Sequence, residues 1–249
     1  MCCFTNVVDH VGNTRIFARG LEDGYQYIVY AMDYAAATDL AMILPIPTPL
    51  CVSEEALRWI DLSDYPEFFD DLHNAIQLSR SLSLEDVSKS LTVHEVGSFE
   101  ASFVPHQDDF ARLDPRFSIP KAIWTQMPEY DDYGFAVFKL KAGEKSVHPM
   151  AFAFPRRNPD ELFFPTVHVH HNEVEPTADF DHELYYQTPT NWGLPKEDEL
   201  YWRVRVSALS SLGEYVDLDR AQGIVQDWPG TMISVVGDLP NRDIILSEF

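Results

Sequence analysis

From about residue 90 onward the chain is a succession of short β-type stretches broken by turn residues, and this punctuation limits the fold more than any other feature. Stretches rich in β-branched and aromatic residues run over 92–104, 134–141, 150–154, 166–171, 179–186, 201–208 and 231–236, with helical patterns rarely between them. A parallel sheet needs a crossover at each connection, usually a helix. The order of segments therefore predicts an α+β fold, predominantly antiparallel β, with one or two helices in the first third. Before residue 90, strands are expected from Cys2, over Thr14–Arg19, over Tyr25–Tyr30 and over Leu40–Leu44. Turns are expected at Asp9–Asn13 and Glu22–Gly24, and Pro45-Ile46-Pro47-Thr48-Pro49 should end the fourth strand. Phe68, Phe69, Leu72, Ala75 and Ile76 share one helical face, with Ser63 or Asp64 to cap it and Pro66 in the first turn. Ser53–Ile60 is a second, shorter helical candidate. Residues 105–120 resemble a linker in composition, but Phe110, Leu113 and Phe117 predict that they pack, giving a single domain over 1–249.

Charge narrows the partners. Asp and Glu total 40 against 18 Lys and Arg, a formal net charge of −22, so no basic surface is available to neutralise phosphates. Nucleic acid and anionic membranes are excluded as general partners. Aromatic content of 13% and a mean hydropathy of −0.19 separate the chain from acidic disordered sequences. No apolar run reaches the length that spans a bilayer, about 18 residues. The opening residues show no secretory signal, and three cysteines do not make a disulfide framework, so a cytoplasmic protein is expected.

The stretch richest in chemistry is Thr166-Val167-His168-Val169-His170-His171-Asn172-Glu173, followed by Asp179-Phe180-Asp181-His182-Glu183. Strand alternation places His168 and His170 on one face and Val167 and Val169 on the other. A hairpin across 172–178 pairing His171 with Asp179 would set His182 opposite His168, so that three imidazoles converge. Three histidines with an open fourth position suit a catalytic transition metal, zinc first and copper second. Glu173 or Asp181 would then serve as base, with Asp179 and Glu183 available to orient the rings. His171 faces away, and His10, His94, His106 and His148 are scattered. This reading predicts a metalloenzyme acting on a small-molecule or peptide substrate.

The amino terminus supports a different chemistry. Removal of Met1 would leave Cys2 with its own α-amine as base beside the thiol. Cys2, Gly12-Asn13-Thr14, Phe17 and Arg19-Gly20-Leu21-Glu22 resemble the opening of N-terminal-nucleophile enzymes of the choloylglycine hydrolase type. The resemblance covers residues 2–24 and implies a C–N amidohydrolase with Cys2 as nucleophile and Arg19 as a substrate-positioning cation. It departs from that family at Gly20 and Glu22, and the Cys2–Arg19 spacing is one residue longer. A fainter likeness over residues 2–50, carried by Arg15-Ile16-Phe17-Ala18 and Leu44-Pro45-Ile46-Pro47, is to an uncharacterised bacterial domain family with a Leu-Pro-x-Pro strand end, and it implies no activity. A third reading is a non-catalytic metal-binding or interaction protein. No Gly-x-Gly-x-x-Gly, P-loop or Gly-x-Ser-x-Gly motif is present, which leaves nucleotide-binding and serine-hydrolase readings without support.

Overall fold

The computed structural model describes residues 3–81, 99–170, 172–189, 192–193 and 204–248. In chain order the elements are β1 (Cys3–Phe4), β2 (His10–Gly20), β3 (Tyr25–Ala36), β4 (Leu40–Ile46), β5 (Arg58–Asp61), α1 (Phe68–Ser81), β6 (Glu100–Val104), α2 (Lys121–Trp124), β7 (Gly134–Leu140) and β8 (Gly143–Ser146). They continue with β9 (Met150–Pro155), β10 (Glu161–Phe164), β11 (Thr177–Gln187), β12 (Trp192–Gly193), β13 (Val204–Ser207), β14 (Thr231–Pro240) and β15 (Ile244–Glu248). Mostly antiparallel and partly mixed β-sheet with few helices is thus the architecture, in keeping with α+β. No helix among the described residues is long and apolar enough to cross a membrane.

Three sheets carry the fold among the described residues. The largest runs β13-β14-β11-β2-β3-β9-β5, with β8 also on β3; a second runs β1-β4-β7-β6 and a third β10-β15-β12. β11 joins the large sheet antiparallel to β14 but parallel to β2, with Glu183 beside Arg15 and Tyr185 beside Phe17. Alternation along the central strands feeds different layers. Ile16, Ala18, Ile28 and Tyr30 meet Met42, Leu44, Ala136 and Phe138 of the second sheet. Phe17, Val29, Ala31 and Tyr185 on the opposite face take Phe68, Phe69, Leu72, Ala75 and Ile76 of α1. Beyond the second sheet, Ala41, Ile43, Phe135 and Val137 are covered by Phe110, Ile123 and Trp124 from residues 105–130. Burial on both faces explains the near-continuous apolar runs of β3 and β4.

Several local expectations are corrected. Gly12-Asn13 is not a turn ending a strand: β2 runs through it as a bulge, with the register against β3 shifting between Gly12 and Arg15. Asn13 takes a φ of 52°, which asparagine tolerates better than most residues. β4 continues through Pro45, which pairs with Phe135 of β7. On its other side β1 reaches only Met42 and Ile43, so at Pro45 there is no ladder to break among the described residues. Ser53–Ile60 is not a helix, because Arg58–Asp61 forms β5 on β9. The strands expected at 92–98 and 201–203 lie outside the described residues.

Candidate functional site

Two groups of side chains flank β11 within the large sheet, one on each face. The first gathers around His182. Residues 166–168 are not a strand: their backbone is held by side chains of the turn between β14 and β15. Asp243 accepts from the amides of Thr166 (2.7 Å) and Val167 (2.9 Å) and from the Tyr130 hydroxyl (2.8 Å). Asn241 accepts from the His168 amide (2.7 Å) and donates to the His168 carbonyl (2.8 Å), closing a two-point clamp. Burial pushes the Asp243 carboxyl up to about 6 against the pull of these donors. Neither residue stands out in the sequence. Pro240-Asn241-Arg242-Asp243 reads as turn composition, and nothing local shows that Asn241 and Asp243 hold the backbone of a distant segment.

The clamp delivers Val167 and Val169 into the apolar layer around Trp124 and turns His168 and His170 to the other side. There the imidazoles pile up. His168 and His170 lie 5.8 Å apart with planes 7° from parallel, and His168 and His182 lie 5.4 Å apart at 15°. Phe180 covers His168 at 4.5 Å and Phe4 sits 5.8 Å from His170. His168 is 5% exposed and His182 fully buried. Burial, followed by the neighbouring positive charges, drives the His168 pKa far below the ordinary histidine value, so the ring is neutral. Strand β1 lies across this segment. The Phe4 amide donates to the Val169 carbonyl (3.1 Å), and Cys3 bridges to Val169 in parallel. Cys3 and Phe4 are both buried and enter different apolar layers.

The expected three-histidine metal centre is overturned. Ligands of one tetrahedral ion must aim their nitrogens at a common point about 2 Å away. Rings stacked nearly parallel aim theirs side by side. Among the described residues no group of three or more His, Cys, Asp or Glu is arranged to hold a metal ion. The hairpin inferred for 171–179 does not form either: β11 pairs with β14 and β2, and His182 stands opposite Val235. Glu173 is exposed in a tight turn, its amide donating to the His170 carbonyl (2.9 Å). Asp181 accepts the Asn13 amide (2.8 Å) and so braces the β2 bulge. Burial raises its pKa, but the His182 contact and the Asn13 amide outweigh this and hold it below the usual aspartate value. Cys2, His94 and His171 lie outside the described residues. Arg19 is buried and its Nε donates to the Ile224 carbonyl at 2.7 Å, with Nη2 on that of Gly223, so its guanidinium is occupied by backbone.

The second group lies on the opposite face of β11. His73 of α1 sits 3.2 Å from the Tyr185 hydroxyl and 3.5 Å from the Glu183 carboxylate, while Tyr185 donates to Glu183 at 2.6 Å. Arg15 of β2 pairs with Asp70 of α1 beside them at 2.7 Å. These contacts fasten α1 to the sheet.

No family model matches the sequence. Among solved structures, the crystal structure of baculovirus P35 superposes with a TM-score of 0.59 at 12% identity, covering 100% of both chains. The chain shares its fold with P35. A mutated baculovirus P35 after caspase cleavage matches with a TM-score of 0.52 at 13% identity, over 95% of this chain and 99% of that one. The caspase-8/P35 complex matches at 0.50 and 13% identity, over 95% and 96%. These neighbours, together with the stacked histidines, overturn the metalloenzyme and hydrolase readings. They also overturn the expectation of a small-molecule or peptide substrate, since the partner in the P35 complex is caspase-8.

Proposed function

We propose that this chain is a protease inhibitor that engages a caspase-type cysteine protease, is cut by it, and remains bound. The observation that carries the reading is the likeness to P35 along the whole of both chains. A mutated P35 has been crystallised after caspase cleavage, and P35 in complex with caspase-8. An ordinary substrate leaves once cut, because severed ends lose their shared geometry. A substrate presented by a rigid scaffold keeps its ends in place and forfeits little entropy on binding, which favours a lasting complex. Layers buried on both sides of two sheets make this chain such a scaffold.

Titration of active caspase-8 with the chain tests the proposal, followed by hydrolysis of a fluorogenic peptide and by mass spectrometry of the mixture. Stoichiometric loss of activity with one cut after an aspartate is expected; undiminished activity at molar excess overturns it. Asp23 is a poor place for the cut. It stands at the β2–β3 turn, accepting from the Tyr25 amide (3.2 Å) and from Arg58 (2.8 Å), and extending it into a protease cleft would break the hairpin. The masses of the two fragments identify the aspartate that is cut, and its substitution by alanine should abolish both the cut and the inhibition.

A further inference from the structure

We infer that His73 is the moving part of a pH-dependent latch that holds α1 against β11, closed while its imidazole is charged and loosened when the proton leaves. The inference is independent of the protease reading. α1 buries Phe68, Phe69, Leu72, Ala75 and Ile76 against the large sheet. His73 lies on the flank of that contact, half-exposed, where helix and strand meet through polar groups. The groups facing it are Glu183 and Tyr185 from β11, Arg15 from β2 and Asp70 from α1 itself.

The hydrogen bonds fit an imidazole protonated at Nδ1, charged or neutral, so what the loss of the proton removes is the attraction to Glu183. The Tyr185 hydroxyl gives its proton to Glu183 (2.6 Å), leaving its oxygen to accept from His73 Nδ1 (3.2 Å). Charge thus runs from imidazolium through the phenol to carboxylate, with a further direct attraction at 3.5 Å. Arg15 opposes the imidazolium, but Asp70 partly neutralises it at 2.7 Å. Burial keeps the Tyr185 phenol in its neutral form, so it conducts the interaction without titrating in the working range.

The signs bound the window in which the latch holds. Glu183 raises the His73 pKa, outweighing burial, so this contribution is fully present below the unfolded value near 6.5 and is lost as pH rises through the folded value. Burial opposes ionisation of Glu183, but its bonds from His73 and Tyr185 prevail and hold its pKa below the ordinary one, so its contribution fails only in acid. The latch is therefore closed below the unfolded histidine value and opens as pH rises through the folded one.

Amide hydrogen exchange of residues 68–81, corrected for the intrinsic rate and followed from about pH 6 to about pH 8, tests this. Wild-type protection should fall severalfold across that range. His73→Gln should show lower protection that does not change with pH, and His73→Arg, a permanent cation, high protection that does not change either. A wild-type profile without the fall, or the same fall in His73→Arg, overturns the latch. Should His73→Gln fold poorly, the comparison of wild type with His73→Arg decides alone.

Discussion

His182 and Glu183 are consecutive on β11 yet serve opposite faces of the sheet, and the two histidine environments they enter have little in common. On one face His182 joins His168 and His170 in a stack between Phe180 and Phe4, and burial keeps His168 neutral. On the other face His73 sits half-exposed beside the Glu183 carboxylate, which favours its charged form. Residue type is the same; desolvation wins in the first place and a nearby opposite charge in the second. Density of histidine and carboxylate along the sequence therefore does not identify a metal site. Which face each residue enters decides what the imidazole does.

Breaking the support of the stack should have the largest effect. Asp243→Ala leaves the amides of Thr166 and Val167 and the Tyr130 hydroxyl without their acceptor, at a cost of about 3–5 kcal/mol in urea unfolding. Because burial raises the Asp243 pKa to about 6, above its unfolded value, its contribution to stability is greatest in acid and is lost as pH rises through about 6. Unfolding of Asp243→Asn should lack that slope.

The stack itself should show the reverse sign. With the folded His168 pKa far below the unfolded one, stability present above about pH 6.5 is lost as pH falls, by at most about 1.4 kcal/mol per pH unit. His168→Phe should flatten the wild-type slope between neutral pH and pH 5 in urea titrations. His73→Gln should change the pH dependence in the opposite direction and by less than about 1 kcal/mol, since solvent screens a half-exposed pair. The smallest effect is expected at the exposed Arg112–Glu54 pair, where Glu54→Gln should leave the unfolding midpoint unchanged.

Much of the β framework is legible because alternation and β-branched content report burial directly, as in β3, β7 and β9. The orientation of 167–170 is legible for the same reason, valines to one side and histidines to the other. Its neighbours are not. The stretch is held by Asn241 and Asp243, roughly 75 residues away in sequence, and a side-chain clamp leaves no periodic trace. Pro45 misleads because a proline is tolerated where one edge of its strand carries no ladder, a property of topology. Gly12-Asn13 misleads because a bulge and a turn ask for the same residues, and the Asp181 carboxylate that fixes the bulge lies on another strand. At 12% identity, the likeness to P35 is carried by the arrangement of strands, and sequence motifs give no sign of it.

The most direct test of the protease reading is to mix the chain with active caspase-8 and separate the products by size exclusion, identifying each peak by mass. The account predicts a cut chain that co-elutes with inactive enzyme. An intact chain eluting alone, or fragments leaving behind a fully active protease, would contradict it.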